Sequence, residues 1–255
     1  MSTELSKESF LKIFQELGLK RGDFLLVHSA IEGISPIESI HCFNALLEIV
    51  GDEGTIAFPT FNFGFCQGLA YDQRRTPSQV GMLTEMARRH PKAKRILHPI
   101  YSFALFGKQS EELSHSIKNV SAFSEDSLFG ELKRQDGKIL LIQLPFNKSM
   151  TFLHHIEEIV GVDYRYIKTF EGDVIDFNGV KTHQSCKMLV RNLEMGVETY
   201  VDEIQKRLED LAVIKCTMLK DKPIRLMSSR QIFDAVSEIM KSEPHIMAKI
   251  NKPKA

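Results

Sequence analysis

Two histidines and two carboxylates lie close together in "MTFLHHIEE", residues 150–158, directly after a threonine. On a helix, His154 can meet Glu157 at i+3 or Glu158 at i+4. A carboxylate that orients a histidine ring and makes it more basic prepares that histidine to act as a general base. The segment therefore predicts a site of proton transfer, with His154 as the base and one of the two glutamates as its partner.

Two other interpretations of this segment stay open. It is predicted to be a helix opened by Ser149 and closed by Gly161, and its polar side chains could simply form a solvated face. The alternative is a zinc site of a metal-dependent hydrolase on His154, His155 and Glu158, since imidazole and carboxylate both ligate zinc. The buried stripe of the predicted helix consists of Phe152, Ile156, Ile159 and Val160.

Two further segments carry polar groups where strands begin or end. In "RILHPIYSF" (95–103) the proline holds His98 out of helical geometry, so His98 and Ser102 are candidates for the edge of a site. "VHSA" (27–30) ends a strand before a helix, a turn whose N–H groups can hold a phosphate. The dinucleotide, Walker A and nucleophile-elbow motifs do not occur in the sequence.

Strands and helices that would position these residues alternate along the first 160 residues. Short apolar strands are predicted at 24–30, 54–60 and 138–144. "SPIE" is a capping box with proline at the first helical position, and "TPSQVGMLTEMARR" (76–89) predicts a helix that begins at Thr76. This alternation predicts an α/β fold, with a mostly parallel central sheet and helices on both of its faces.

The chain after Gly161 has a different pattern. Alternating segments surround Asn178-Gly179, a strong signal for a two-residue hairpin turn. We therefore expect a β-rich antiparallel C-terminal subregion with a β-hairpin insertion at 163–190. No repeat or flexible linker interrupts the sequence, so residues 1–255 are predicted to form a single domain.

Composition and charge argue against several classes of protein. The 33 Lys and Arg residues balance 33 Asp and Glu residues, so no bulk field favours a nucleic-acid or membrane partner. The four cysteines lack the spacing of a metal site or a disulfide framework, and no basic leader or long apolar run occurs. We expect a cytoplasmic protein, and the sequence leaves a homo-oligomer open.

Six segments, in this order over residues 10–165, together resemble the aminoglycoside 3-N-acetyltransferase family: "LLVHSA", "VGDEGTIAFPTF", "TPSQVGMLTEMARR", "RILHPIYSFALFG", "DGKILLIQL" and "TFLHHIEE". The resemblance implies an α/β fold that binds acetyl-CoA and transfers the acetyl group directly to an amine. It implies neither a covalent acyl-enzyme nor a metal.

The resemblance also implies roles for particular residues. The H-x-x-E motif that follows a threonine falls on Thr151, His154 and Glu157, so Glu157 ranks before Glu158 as the partner of the base. Glu194 of "RNLE" is a candidate for a later carboxylate that completes the site. Contacts with CoA are implied for the motif positions His28, Ser29, Ala30, Thr76, Ser78, His98 and Ser102, where Ala30 replaces a usual second serine.

The reaction that follows is acetyl transfer from acetyl-CoA to a primary amine of an amino sugar, with Thr151 or Ser102 as a donor to the thioester oxygen or the leaving sulfur. Because zero net charge gives no signature of a cleft for polycations, we expect a less cationic acceptor, such as a nucleotide-linked precursor of a surface polysaccharide. An aminoglycoside is the alternative acceptor. A non-catalytic homologue that binds CoA or sugar is a further alternative.

Overall fold

Helices and strands alternate through most of the chain, of which the computed structural model describes residues 4–30, 34–117 and 121–251. The helices in these ranges are α1 (Lys7–Leu17), α2 (Pro36–Val50), α3 (Met82–Arg89), α4 (Ser110–Ser116), α5 (Leu128–Arg134), α6 (Phe152–Val160), α7 (Asp202–Asp210) and α8 (Ser229–Ser242). The strands are β1 (Phe24–Ser29), β2 (Thr55–Pro59), β3 (Tyr71–Asp72), β4 (Lys94–Arg95), β5 (Phe103–Gly107), β6 (Lys138–Ile142), β7 (Arg165–Ile175), β8 (Lys181–Arg191), β9 (Val197–Thr199), β10 (Ile214–Leu219), β11 (Lys222–Ser228) and β12 (Ala248–Ile250).

A seven-stranded sheet in the order β10-β11-β6-β1-β2-β5-β4 forms the centre of the molecule. Its three middle strands, β6, β1 and β2, are parallel, whereas β11 and β5 run antiparallel to their neighbours on either side. The outer strands β10 and β4 reverse direction again, so five of the seven strands run the same way. The prediction of a mostly parallel central sheet is confirmed, with antiparallel strands at its margins.

Helices cover both faces of this sheet, as predicted. Successive residues of β1 point to opposite sides, so Leu26 enters one hydrophobic core and Leu25 enters the other. One core packs beneath α1, α2 and α3 and includes Phe10 and Leu46. The other packs beneath α5, α6 and α8 and includes Phe152. The second core positions the predicted catalytic helix.

Helix α2 begins as the sequence predicts, whereas α3 does not. Ser35 Oγ accepts from the N–H of Glu38 and the Glu38 carboxylate accepts from the N–H of Ser35, which completes the capping box. Helix α3 begins at Met82 and not at Thr76, because the Thr76 hydroxyl accepts from the N–H of Asp72 and closes a turn there.

Helix α6 also departs from its prediction in two respects. It begins at Phe152, because the Ser149 hydroxyl donates to the carbonyl of Pro145 instead of capping the helix. Val160, predicted to be buried, is exposed. The end at Gly161 agrees with the prediction, and the left-handed conformation of this residue explains why a glycine ends the helix.

Strands β7 and β8 form a long antiparallel hairpin, which β3 extends to a three-stranded sheet. The hairpin confirms the predicted antiparallel subregion. Its loop has three residues, 177–179, and not two, because Asp176 pairs with Val180 through the backbone and Gly179 adopts a left-handed conformation. No helix in the described part of the chain is long and apolar enough to cross a membrane.

Candidate active site

A histidine and a buried carboxylate form a close pair on α6. His154 Nδ1 lies 2.6 Å from Glu157 Oε2, one helical turn away. The His154 side chain is 23% exposed, whereas that of Glu157 is 1% exposed. Glu158 is directed elsewhere and accepts from the Ser121 hydroxyl at 2.7 Å. Of the two candidate partners, the structure places Glu157 against His154.

Two residues that the sequence analysis did not single out hold the Glu157 carboxylate. Tyr164 Oη donates to Glu157 Oε1 at 2.9 Å, and Arg165 Nε lies 2.8 Å from Glu157 Oε2. Burial opposes ionisation, but the neighbouring His154 and Arg165 outweigh it and hold the pKa of the Glu157 carboxyl below its usual value. Their position in the sequence, as "YR" shortly after the end of α6 at Gly161, could have indicated that they lie near Glu157.

A small cavity of about 90 Å³ lies beside this pair. Thr151 lines it, and Thr151 Oγ1 lies 3.3 Å from Nε2 of His28, which comes from the carboxyl end of β1. Burial lowers the pKa of His28 to about 4, so its ring is neutral near pH 7. The structure therefore brings Thr151 and His28 together with His154 and Glu157. The remaining lining residues are Phe146, Asn147, Lys148, Ser149, Met150, Leu153, Thr199, Val201 and Met247.

Several predicted CoA contacts lie near the end of β1. A Cβ built on Gly81 would lie 3.1 Å from the Ser29 carbonyl oxygen, so the chain just before α3 approaches the end of β1. The Ser29 hydroxyl is buried and has no hydrogen-bond partner in the described residues. The Ser78 hydroxyl pairs with that of Thr84 at 2.8 Å. This arrangement is compatible with the predicted contacts.

His98 and Ser102 are both buried, and a direct contact of either residue with CoA stays a prediction. Ser102 is fully buried and its hydroxyl donates to the Thr60 carbonyl and accepts from Arg95. His98 Nδ1 accepts from the N–H groups of Ile100 and Tyr101, and burial lowers the pKa of His98 to about 4. Both residues stabilise the segment before β5 from within the core.

Glu194 does not line the cavity, contrary to the prediction. It is exposed in the turn between β8 and β9, where its N–H donates to the Asn192 side chain. The later chain contributes Thr199 instead, because Thr199 Oγ1 accepts from Arg165 Nη2 at 2.9 Å. A hydrogen bond over this distance in sequence has no local signature.

The three residues of the zinc hypothesis do not converge. His155 is fully buried and its Nδ1 lies 2.6 Å from the carbonyl oxygen of Phe123, while Glu158 is held by Ser121 and His154 by Glu157. In the described ranges no three His, Cys, Asp or Glu side chains are grouped so that they could hold a metal ion. The helix-face interpretation also fails for Glu157, which is buried.

One family model matches most of this chain. A model of the family described as aminoglycoside 3-N-acetyltransferase matches residues 26–241. A SPbeta prophage-derived aminoglycoside N(3')-acetyltransferase-like protein, YokD of Bacillus subtilis (strain 168), is 28% identical over 177 residues, which are 60% of this chain and 64% of that protein. The chain thus spans slightly less than two thirds of this relative's length.

Two further comparisons agree with this result. Aminoglycoside N(3)-acetyltransferase III of a Salmonella species is 27% identical over 68% of each chain. The structure of AAC-IIIb in a binary complex with CoASH superimposes with a TM-score of 0.83 at 18% identity, over 99% of this chain and all of that one, and so shares the fold. Because the family model matches residues 26–241, the chain belongs to the aminoglycoside 3-N-acetyltransferase family.

Proposed function

We propose that this protein transfers an acetyl group from acetyl-CoA to a primary amine of an amino sugar, with His154 as the general base. The observation that carries the proposal is the pairing of His154 Nδ1 with the buried Glu157 carboxylate. The His154 side chain, which carries Nε2 on the other edge of its ring, is partly exposed and lines the cavity. A histidine held at Nδ1 by a carboxylate is oriented to take a proton at Nε2.

The arrangement supports a direct transfer. The acceptor nitrogen attacks the thioester carbonyl, its proton passes to His154 Nε2, and Glu157 stabilises the imidazolium that forms. The Thr151 hydroxyl lines the same cavity and can donate to the thioester oxygen as negative charge develops on it, or to the sulfur as it leaves. The acetyl–sulfur bond breaks as the acetyl–nitrogen bond forms, so no acyl-enzyme is required.

Residues at the near end of the CoA path are Ser29, Ala30, Thr76 and Ser78. The buried Ser29 hydroxyl lacks a partner within the described residues, and Gly81 lies close to the Ser29 carbonyl oxygen. A buried hydroxyl without a partner costs free energy, so a bound ligand that accepts or donates a hydrogen bond there stabilises the complex. The remaining CoA contacts are proposed to follow this strand end.

Charge at the cavity favours a neutral or anionic amino sugar, such as a nucleotide-linked one. Among the described lining residues, Glu157 is the carboxylate, and His154, Tyr164 and Arg165 already occupy it. Lys148 adds an exposed positive charge at the cavity. A polycationic acceptor would gain little electrostatic attraction from this lining. A surface-polysaccharide precursor fits this chemistry.

An aminoglycoside acceptor is the second candidate. It is supported by the names of the relatives, such as the aminoglycoside N(3)-acetyltransferase III of a Salmonella species. Resistance to an antibiotic would then be the biological consequence. The two candidate acceptors differ in charge, so one panel that contains amines of both kinds can distinguish them.

The experiment is release of free thiol from acetyl-CoA with nucleotide-linked amino sugars and aminoglycosides, with mass spectrometry of the product. The wild-type protein is expected to acetylate at least one amino sugar, and His154→Gln to lose that turnover. His115→Gln is the matched control, because His115 lies on α4 and is largely exposed. Absence of acetylated product with every amine would refute the proposed reaction.

A further inference from the structure

The buried Glu157 carboxylate contacts an imidazole, a guanidinium and a neutral hydroxyl donor. His154 and Arg165 both lie within 3 Å of Oε2, and the Tyr164 hydroxyl binds Oε1. The N–H bond at Arg165 Nε is not directed at the Glu157 carboxylate, so this contact is an ion pair and not an aligned hydrogen bond. The His154 imidazole and the Arg165 guanidinium therefore both approach the same carboxylate oxygen.

Arg165 is itself fixed in place. Its side chain is 4% exposed, and Nη2 donates to the hydroxyl of Thr199 on β9. Tyr164 is fully buried and its ring packs edge-on against His245, 5.6 Å away. Both side chains approach Glu157 from segments outside α6, so the orientation of the carboxylate is set from a second element.

The charges decide what this arrangement does to the base. With Glu157 alone, the carboxylate would favour a protonated His154, which cannot accept a proton from the amine. The Arg165 guanidinium offsets that negative charge at 2.8 Å. The ionisable groups on surrounding elements are Lys148, which lines the cavity, and His28, which contacts Thr151. Glu158 and Asp163 are paired elsewhere, with Ser121 and His245.

We propose that Tyr164 and Arg165 are positioning residues for the His154–Glu157 pair, and that the Arg165 guanidinium offsets the negative charge of Glu157 beside His154. Tyr164 holds Oε1, so that Oε2 remains directed at His154 Nδ1. This inference rests on the proposed function, since it assigns a role around the proposed base.

The pH profile of kcat/KM is the first test. Arg165→Gln removes the charge, so the acid limb of the profile is expected to move to higher pH by about 1 unit, the scale on which a nearby charge acts. Arg165→Lys keeps the positive charge, so its acid limb should lie at the same pH as that of the wild type. The plateau value of kcat/KM should be lower than in the wild type. A merely structural role would lower the plateau of both variants and leave the acid limb in place, which would overturn the proposal.

Tyr164→Phe tests the positioning of the carboxylate separately. It is expected to lower kcat about tenfold, while KM for acetyl-CoA stays unchanged. Tyr71→Phe is the matched control, because Tyr71 is also buried but does not line the cavity beside Glu157. Equal kcat values for Tyr164→Phe and Tyr71→Phe would contradict a positioning role.

A second measurement needs no acceptor and separates this inference from the proposed function. Diethyl pyrocarbonate reacts with neutral imidazole, so its reaction with His154 at pH 6, followed by peptide mass spectrometry, should be several-fold slower in Arg165→Gln than in the wild type. The exposed His115 is the internal reference. An unchanged or faster reaction would overturn the inference, whereas failure of acetyl transfer in the wild type would overturn only the proposed function.

Discussion

At the scale of single residues, the burial of Glu157 distinguishes this site from an ordinary polar helix face. The spacing on one helix left Glu157 at i+3 and Glu158 at i+4 as possible partners of His154, and the resemblance to the family ranked Glu157 first. The sequence could not show that Glu157 is buried, since the residues that cover it, Tyr164 and Arg165, do so through tertiary contacts. A buried carboxylate is tolerated only when it is paired, which makes the surrounding donors part of the site.

Glu157→Gln tests the role of the carboxylate. The amide cannot compensate the imidazolium charge, so kcat should fall on the order of 10²-fold, within the usual range for general-base catalysis. Binding of CoA, measured by calorimetry, should be retained. Glu158→Gln on the same helix is the control and should lose little, because Glu158 binds Ser121. Similar losses in both variants would argue against the pairing as the catalytic feature.

Acid stability reports on the buried histidines. Burial lowers the pKa of His28 and of His98 to about 4, against an unfolded value of about 6.5. The unfolded chain therefore binds more protons between these values, and the free energy of unfolding should fall as pH drops from 6.5 to 4.

His98→Asn should make this dependence less steep. Its side-chain oxygen can accept from the N–H groups that His98 Nδ1 now binds, and one titrating group is removed. Urea unfolding at several pH values measures how the free energy of unfolding changes with pH. This slope should decrease by up to about 1.4 kcal/mol per pH unit, which corresponds to one proton. Identical slopes for the variant and the wild type would show that His98 does not titrate as inferred.

Among the helices and strands, the features that depend on contacts within a few residues were predicted correctly. The features that depend on contacts between distant residues were not. The capping box at Ser35 and the glycine at 161 mark helix ends through contacts within one turn. The beginning of α3 was misplaced because Thr76 binds a backbone group four residues before it. Strand β11 was not predicted, since its pairing with β6 joins residues about 80 positions apart.

The short ribbon of β9 and β12 closes the site from the C-terminal side. Thr199 on β9 holds Arg165, and Met247, just before β12, lines the cavity. Gly196 begins this ribbon with φ of 65°, and a Cβ there would lie 1.8 Å from the Asn251 carbonyl oxygen. A side chain at this position must displace β12.

Gly196→Ala should therefore lower kcat at least severalfold while leaving CoA binding intact. Gly179→Ala in the β7–β8 loop is the matched control, because it imposes a similar left-handed strain at φ of 86° but away from the cavity. Turnover and calorimetry on both variants make the comparison. Equal activity in the two would show that the ribbon does not support the site.

At the scale of the whole molecule, the two hydrophobic cores share the strands of one sheet. We therefore expect thermal unfolding in a single cooperative transition over the whole chain, as predicted for a single domain. Saturating CoA should stabilise the folded state by about 2.7 kcal/mol at a hundredfold excess over Kd. Calorimetry would contradict a single unit if it showed two transitions, of which CoA shifts only one.

Net charge says little about the acceptor, but local charge can be tested. Lys148→Glu and Lys12→Glu change the net charge equally, although only Lys148 lines the cavity and Lys12 is exposed on α1. Lys148→Glu should raise KM for an anionic amino sugar about tenfold, whereas Lys12→Glu should leave it unchanged. Equal KM values in both variants would remove the electrostatic argument for that acceptor.

His154→Gln separates the rate of turnover from the affinity for CoA. If His154 is the base, the rate of thiol release with the best acceptor should fall by about 10²–10⁴-fold, while the Kd for CoA stays within about twofold of the wild-type value. Turnover close to that of the wild type, with CoA still bound, would contradict the assignment of His154 as the catalytic base.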